Sequence, residues 1–386
     1  MNVTNHFNLK SQCIINQNSI DTIMNLTPGK IKSLFLTLTL LITFSMAACS
    51  DDPVSNIQEE ELLSILVINE GNFADSNGSI TSYDPETGQV IQDKFQQVNG
   101  RPMAGIIQTA VRSGERLFIV TNSTDKIEVA DAASIESIGT ITFDNGITPG
   151  GFALADDSRG YVSDLFTNVV AVVDLENLET TGTLIEVGNN PQEMLVVGNR
   201  LIVANNGFGN DNTVSIIDTE TDQVTATLET GSGPLQLFPD RFDRIWVLSN
   251  GYRAYDENWN RDPDNDIPGR IDVIELSTEQ ITATIETGGF PKSFSLDLDL
   301  GLGWVVNENA VQLIDLNSFE VTDESFISRD FNGIGYSQAE NRLYLAQSRG
   351  FTQAGQTIIY DLEGAAVDSF QVGIAPKDFL FRVEMN

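Results

Sequence analysis

The chain has 386 residues, of which 55 are Asp or Glu and 21 are Lys or Arg, so its formal net charge is −34. Nucleic acid is excluded as a ligand, because phosphate binding needs concentrated Lys and Arg. Phe, Val, Ile and Thr are plentiful, which favours strands over helices. The simplest interpretation of so many acids is a solvated outer shell.

The first segment with a clear pattern has the form of a secretory signal. Lys30 and Lys32 provide the basic start, residues 34–44 form an apolar run, and residues 46–49, Met-Ala-Ala-Cys, form a small-residue cleavage box. The apolar run is too short to span a bilayer comfortably. The box resembles a bacterial lipobox, with Met where Leu is commoner, which implies that Cys49 carries lipid. A buried core helix is the alternative.

The start of this signal decides which side chains remain in the mature protein. Met24 begins a conventional signal, whereas the residues before it fit no part of one, so we predict a signal region over 1–48 with the true start at Met24. The single histidine, His6, and the second cysteine, Cys13, lie within that region. The mature chain would lack Ser-His-Asp and Cys-His catalysis, histidine-ligated metals and structural disulfides. We therefore expect no enzyme activity and no cofactor, with carboxylate-assisted or calcium-assisted chemistry as the alternative.

Residues 49–64 are predicted to be the lipidated cysteine and a flexible tether, because they contain several acids and little that could be buried. These acids are Asp51, Asp52, Glu59, Glu60 and Glu61. Acidic residues directly after a lipidated cysteine resemble the signal that sends lipoproteins to the outer face of the outer membrane in some Gram-negative bacteria. The resemblance implies a lipid-anchored protein that faces the cell exterior, and a plain linker is the alternative.

The rest of the chain repeats two signals, a proline that opens a stretch and an acid that ends a strand. The prolines are Pro102, Pro149, Pro191, Pro234, Pro291 and Pro376, and Asn332-Gly333 stands where one more would fall. The acids are Asp84, Asp131, Asp174, Asp218, Glu275, Asp315 and Asp361. Seven acids imply seven units, and we expect each acid to cap the turn that follows its strand rather than to bind a metal.

Each unit contains four short strands with alternating patterning and turn residues between them, which is typical of a propeller blade. The predicted fold class is therefore all-β, a seven-bladed β-propeller of four-stranded blades over residues 65–386. Residues 65–98 supply the second, third and fourth strands of one blade, and residues 373–383 supply a first strand. We predict that the C-terminal strand pairs with the N-terminal strands and closes the ring, which leaves no open sheet edge.

The second strands carry a family resemblance. Ile119-Val-Thr-Asn122, Tyr161-Val-Ser-Asp164, Ile202-Val-Ala-Asn205 and Trp304-Val-Val-Asn307 resemble the Tyr-Val-Thr-Asn (YVTN) repeat of a large family of seven-bladed β-propellers. The resemblance covers nearly all of residues 65–383. It implies the fold but not an activity, because the family spans many activities.

A narrower resemblance lies at the start of the repeats. Leu66-Val-Ile-Asn-Glu-Gly-Asn-Phe73, followed by Asn77-Gly-Ser-Ile80 and Tyr83-Asp84, looks like the opening of surface lipoproteins from gut and marine Gram-negative bacteria. Some of these capture cobalamin and pass it to an outer-membrane transporter. The resemblance implies a corrinoid ligand and a transporter as partner.

The loops between second and third strands are predicted to meet on one face of the ring, where binding loops vary on a rigid scaffold. The candidate ligand-binding residues in them are Asn72, Phe73, Asn122, Phe166, Asn206, Phe208, Tyr252, Tyr255, Trp259, Asn307, Arg349 and Phe351. Aromatic faces flanked by neutral donors and acceptors suit a large, mostly uncharged ligand such as a corrinoid or a sugar chain. The alternative is that the aromatic side chains pack beneath their own loops and the Asn residues only make turns.

The loop over residues 250–270 is much longer than the others, which makes it the best candidate for a lid or a partner contact. It contains the alternating acids Asp262, Asp264 and Asp266, a weak calcium candidate. A glycine turn and a closing Glu are missing, so a solvated acidic loop is the simpler interpretation.

These observations predict a surface lipoprotein that binds a ligand on the propeller face and hands it to a transporter. Cobalamin is the first choice of ligand. The alternatives are glycan binding and a protein-interaction scaffold at the cell surface.

Overall fold

The computed structural model describes residues 60–143 and 146–385. The predicted signal region, the lipidation site Cys49 and most of the predicted tether lie outside these residues. No helix in the described part of the chain is long and apolar enough to cross a membrane.

The described strands form seven antiparallel sheets of four strands each, arranged as the blades of a ring. Blade 7 begins with β1 (Glu60–Asn69), β2 (Ser79–Tyr83) and β3 (Val90–Ile91). Blade 1 contains β4 (Ile106–Ser113), β5 (Arg116–Asn122), β6 (Lys126–Asp131) and β7 (Ser137–Thr142). Blade 2 contains β8 (Pro149–Leu154), β9 (Arg159–Asp164), β10 (Val169–Asp174) and β11 (Glu179–Glu186). Blade 3 contains β12 (Pro191–Val197), β13 (Arg200–Asn205), β14 (Thr213–Asp218) and β15 (Gln223–Glu229).

Blade 4 contains β16 (Pro234–Pro239), β17 (Arg244–Ser249), β18 (Arg270–Glu275) and β19 (Gln280–Glu286). Blade 5 contains β20 (Pro291–Asp297), β21 (Leu302–Asn307), β22 (Ala310–Asp315) and β23 (Glu320–Ile327). Blade 6 contains β24 (Gly333–Ser337), β25 (Arg342–Gln347), β26 (Ala354–Tyr360) and β27 (Ala366–Ile374). The last strand, β28 (Pro376–Met385), completes blade 7.

The first strand of every blade lies at the centre of the ring, where it contacts the first strands of both neighbouring blades. The loops between second and third strands and the connections between blades therefore share one face, called the upper face below. The turns between first and second strands and between third and fourth strands lie on the opposite, lower face.

The ring closes as predicted, because β28 takes the first position of blade 7. It pairs antiparallel with β1 from Glu60 opposite Met385 to Asn69 opposite Pro376. The pairing begins at Glu60, within the predicted tether, which was expected to end at residue 64. Leu62 is buried within it, so residues 60–64 belong to the propeller and not to the tether.

The hydrophobic core lies between blades, and the period-2 alternation of the second strands builds it. In β5, Leu117 and Ile119 pack toward blade 7, while Phe118 and Val120 pack toward blade 2. Both faces of the strand are therefore buried, which explains why the second strands read as continuous apolar runs.

The predicted opening residues are the first residues of six central strands. Five prolines begin β8, β12, β16, β20 and β28, and Gly333 begins β24. The prediction is wrong for Pro102, because β4 begins only at Ile106. The backbone of Gly105 is instead held by the neighbouring loop of blade 7: its N–H donates to Ser76 and its carbonyl accepts from Gly78, both at 2.9 Å.

The outer edge of blade 7 also departs from the sequence-based expectation of a full fourth strand. β3 has only two residues and is followed by a short helix, α1 (Lys94–Asn99). The Asp93 side chain accepts from the Gln96 N–H at the helix start, and Gly100 ends the helix in left-handed backbone. The helix buries Phe95 against the core between blades 7 and 1.

The strand-ending acids cap turns on the lower face, as expected. Asp218 accepts the backbone N–H groups of Glu220 at 3.0 Å and Thr221 at 2.8 Å. The same arrangement recurs at Asp84, Asp131, Asp174 and Asp315. Asp361 accepts instead from Glu363 and Ala365, and Glu275 accepts one weaker bond from a backbone N–H. The hydrogen bonds from the side chain and backbone of Thr221 lower the pKa of Asp218.

Candidate functional site

The upper face carries large aromatic side chains that are exposed to solvent. Phe73, Phe166, Phe208, Trp259 and Phe351 are between 59% and 83% exposed, one in each of five loops between second and third strands. The alternative that these side chains pack beneath their own loops is therefore wrong for all five. Their role in binding a ligand stays a prediction.

The aromatic residues of the upper-face loops of blades 2, 3 and 4 form two pairs of neighbouring rings, together called the aromatic arc below. The rings of Phe166 and Phe208 lie 6.3 Å apart between centroids, and those of Tyr255 and Trp259 are separated by the same distance. The loops of blades 3 and 4 are joined through the connection between these blades: the Ser232 hydroxyl donates to the Gly209 carbonyl at 2.6 Å, and the Ser232 carbonyl accepts the Gly251 N–H at 2.8 Å. Tyr252, also in the blade 4 loop, is only partly exposed.

Two residues of the aromatic arc have strained backbone. Phe208 has φ of 52° and Trp259 has φ of 62°, a region that costs a bulky residue about 1–2 kcal/mol. Phe319 also has positive φ, but its ring stacks on Trp246 with 5.8 Å between centroids. Phe208 and Trp259 have no such burial in return, since both rings stand in solvent. Backbone strain that no burial of the side chain compensates is typical of functional sites.

The long loop over residues 250–270 is ordered by its own hydrogen bonds. Tyr252 and Ile267 exchange backbone hydrogen bonds of 2.8 and 2.9 Å. Arg261 donates two bonds to the Asp266 carboxylate, at 2.6 and 2.9 Å, and these lower the pKa of Asp266. Arg253 lies 3.8 Å from the centre of the Phe290 ring, which fixes the loop to blade 5.

The calcium candidate in this loop has a different structure from a cation site. Asp266 is occupied by Arg261, and Asp262 accepts from Asn265 at 2.7 Å. Over residues 60–143 and 146–385, no group of three or more His, Cys, Asp or Glu side chains could hold a metal ion.

The predicted polar residues mostly hold the loops in place. Asn72 accepts the backbone N–H groups of Ala74 and Asp75, and Asn206 donates to the Pro234 carbonyl. Asn307 donates to the carbonyls of Thr287 and Gly288. The side-chain oxygens of Asn122 and Asn307 are buried without a hydrogen-bond partner among the described residues. Arg349 is exposed and donates to Gln356 at 3.1 Å.

A cavity of about 380 Å³ lies in the channel beneath the upper face, and sequence reasoning missed it. Its wall comes from the first residues of the central strands together with loop residues of the upper face. The polar side chains of this wall include Glu70, Gln192, Glu193, Gln236, Lys292, Lys377 and Asp378. A signal was present: polar residues occupy the first and second positions after the opening prolines, as in Pro191-Gln-Glu and Pro376-Lys-Asp.

The carboxylates of the channel are poorly solvated. Burial, and then repulsion from Asp378, raises the pKa of Glu193 to about 8. Burial also raises the pKa of Asp378. Lys292 does not offset them, because its ammonium donates to Asp330 at 2.6 Å and to the Phe331 carbonyl at 3.2 Å.

The comparisons with known proteins agree with the fold and add no activity. The model of a family described as "Domain of unknown function (DUF5074)" matches residues 64–246, and no curated protein matches the chain. Similar solved structures include hydrazine synthase of Kuenenia stuttgartiensis, with TM-score 0.53 and 18% identity over 67% of this chain and 77% of that one. Apo AztD from Citrobacter koseri has TM-score 0.53 and 11% identity over 83% of this chain and 98% of that one.

A computationally designed protein, Ika8, is similar to the same degree, with TM-score 0.53 and 11% identity over 81% of this chain and 89% of that one. Likenesses at such low identity show the fold alone. The fold and its exposed face define the class of protein: a seven-bladed β-propeller that supports ligand binding or protein interaction.

Proposed function

We propose that the protein captures a large, mostly uncharged ligand on its upper face and performs no chemistry on it. The observation that carries this proposal is the aromatic arc, where Phe208 and Trp259 stand in solvent on strained backbone. Exposed aromatic surface is costly to keep in water and is typical of binding surfaces. Because the loops are already ordered by hydrogen bonds, little reordering would oppose binding.

A corrinoid such as cobalamin is the ligand we propose first. The channel cavity of about 380 Å³ is at the small end of the range for ligand pockets. A molecule as large as a corrinoid would therefore lie across the mouth of the channel rather than enter the cavity. Its flat macrocycle would contact the aromatic rings, and its amide groups would bond with neutral groups at the loops. The resemblance at Leu66–Phe73 supports the same ligand.

We further propose that the protein is a lipoprotein of the outer membrane that hands its ligand to a transporter. The signal ending at Cys49 and the family resemblance support this proposal. The topology fits it, because β1 starts and β28 ends on the lower face. A tether joined to β1 would thus attach to the face opposite the aromatic arc.

Calorimetry with cobalamin tests the proposed function. We expect binding by the unaltered protein and about tenfold weaker binding after Phe208→Ala or Trp259→Ala, since truncating an aromatic anchor costs more than about 1 kcal/mol. Phe242→Ala is the matched control, because Phe242 is 56% exposed between β16 and β17 on the lower face. Absence of binding heat at micromolar cobalamin would rule out the corrinoid.

The same titration with a panel of oligosaccharides separates the alternatives. Heat with a glycan but not with cobalamin would identify a sugar chain as the ligand. The protein-interaction alternative is favoured by one observation, the concentration of exposed rings on three adjacent blades. Under that alternative neither class of small ligand binds.

A further inference from the structure

The channel cavity beneath the upper face has more negative than positive charge. Glu193 on β12 and Asp378 on β28 project from blades 3 and 7, three blades apart around the ring, and Glu70 lies at the mouth. Lys377 is the only lining cation left to balance them, because Lys292 is held by Asp330. With both facing carboxylates ionised, the channel lacks at least one positive charge.

The two facing carboxylates also have few hydrogen-bond donors. Asp378 accepts the backbone N–H of Phe379 at 2.8 Å, and Glu193 accepts the backbone N–H of Leu237. Neither accepts from a side chain within the described residues. A carboxylate can accept several bonds, so each has capacity for a donor that the protein does not supply.

The size and lining of the cavity indicate which kind of cation would fit. A volume of about 380 Å³ far exceeds the space of a bare metal ion, and no third acid completes a metal site among the described residues. The amides of Gln192 and Gln236 and the apolar side chains of Leu165 and Leu235 also line it. Such a wall suits an organic molecule with one charged end.

We propose that this channel is a second binding site, for a small organic molecule whose primary ammonium group lies between Glu193 and Asp378. An ammonium group has three hydrogen-bond donors and one positive charge. It would supply the donors that the two carboxylates lack and the positive charge that the channel lacks. The site lies beneath the upper face, and the proposal does not depend on the function proposed for the aromatic arc.

The proposal predicts how binding changes with pH. Glu193 shares the cavity wall with Glu70, Lys292, Lys377 and Asp378, and its pKa of about 8 means that it is mostly protonated at neutral pH. An ammonium would favour the ionised form, so binding should release a proton at pH 7. Affinity should therefore rise between about pH 6 and pH 9.

Butylamine is a suitable probe, with 1-butanol as an uncharged molecule of the same length. Binding is measured by saturation-transfer NMR on the full-length protein. The buffer contains 0.15 M salt, which screens the weak attraction of butylamine to the acidic surface. We expect butylamine to bind and 1-butanol not to bind. Glu193→Gln and Asp378→Asn should each weaken butylamine binding by about tenfold, and Glu193→Gln should also remove most of its pH dependence.

Two controls separate this site from other causes. Glu179→Gln removes an exposed acid of β11, and Phe208→Ala alters the aromatic arc; neither should change butylamine binding. Circular dichroism checks that the channel variants fold. We expect them to fold, because Gln and Asn have nearly the same shape as the Glu and Asp that they replace. The proposal would be overturned by absence of butylamine binding, by equal binding of 1-butanol, or by channel variants that bind like the unaltered protein.

Discussion

At the residue scale, each turn from a third to a fourth strand places one residue in left-handed backbone. In most blades it is the fourth residue after the strand-ending acid, and its φ lies between 54° and 70°. These residues are Gly88, Ile135, Leu178, Asp222, Glu279 and Phe319. Some gain packing in return: Ile135 is buried and Phe319 stacks on Trp246. Glu279 has neither advantage, so its backbone strain is uncompensated.

Glu279→Gly should therefore stabilise the protein. Glycine adopts positive φ without steric cost, and its own entropy cost offsets part of the gain, so we expect an increase of about 0.5–1 kcal/mol in the free energy of unfolding. Urea denaturation measures it. Gln280→Gly, one residue later in β19, is the control and should destabilise. A loss of stability in Glu279→Gly would contradict the prediction.

Glu193 should destabilise the fold at alkaline pH. Its pKa is about 8 in the folded protein, well above that of a carboxyl in an unfolded chain, so the folded state retains a proton that the unfolded state has lost. The penalty grows as pH rises above the unfolded pKa and levels off above the folded pKa. Glu193→Gln should thus raise the melting temperature more at pH 8 than at pH 5. An equal shift at both values would contradict this prediction, and exposed Glu179→Gln should show no shift.

At the element scale, the central strands approach each other so closely that side chains are excluded at some positions. A Cβ atom on Gly333 would lie 1.8 Å from the Lys377 carbonyl oxygen, and one on Gly151 would lie 1.9 Å from that of Gln192. These contacts join β24 to β28 and β8 to β12. The first of them holds the closing strand of the ring.

Gly333→Ala should consequently weaken ring closure. Backbone atoms cannot move aside as a flexible side chain would, so we expect a loss of at least about 1–3 kcal/mol in the free energy of unfolding. Gly114→Asn is the control: Gly114 has φ of 55° and open space around it, and Asn tolerates that backbone. Chemical denaturation measures the free energy of unfolding of both variants. The prediction is wrong if Gly333→Ala is as stable as Gly114→Asn.

The elements were predictable to the extent that local signals specify them. Opening prolines and Asn332-Gly333 located six central strands, and the incomplete set of strands at the N-terminus required the closing strand β28. Pro102 misled because the residues after it pair with a loop of blade 7, a contact that no local pattern encodes. Helix α1 was missed because it is one short turn capped by Asp93 and Gly100.

The site was predictable only in part, for the same physical reason. The loop positions of Phe208 and Trp259 followed from the repeat, but their exposure depends on backbone conformation that composition does not specify. The channel residues Glu193 and Asp378 come from strands far apart in the sequence. The one local sign of the channel is the polar residues that directly follow the opening prolines, and it does not show which of them meet in a cavity.

At the scale of the whole molecule, the two faces differ in what they present. The lower face has the acid-capped turns, the start of β1 and the end of β28. The upper face has the aromatic arc above the channel cavity. With the proposed anchor attached through β1, this division would leave the upper face free to bind, and ligand binding there is the central claim of the proposed function.

The most direct measurement of that claim is the quenching of tryptophan fluorescence by acrylamide. Of the three tryptophans, Trp246 and Trp304 are fully buried and Trp259 is 83% exposed, so acrylamide reaches chiefly Trp259. We predict that saturating cobalamin removes most of this quenching, and that Trp259→Phe shows little quenching with or without ligand. Cobalamin that binds while acrylamide quenching stays unchanged would place the ligand elsewhere and contradict the account.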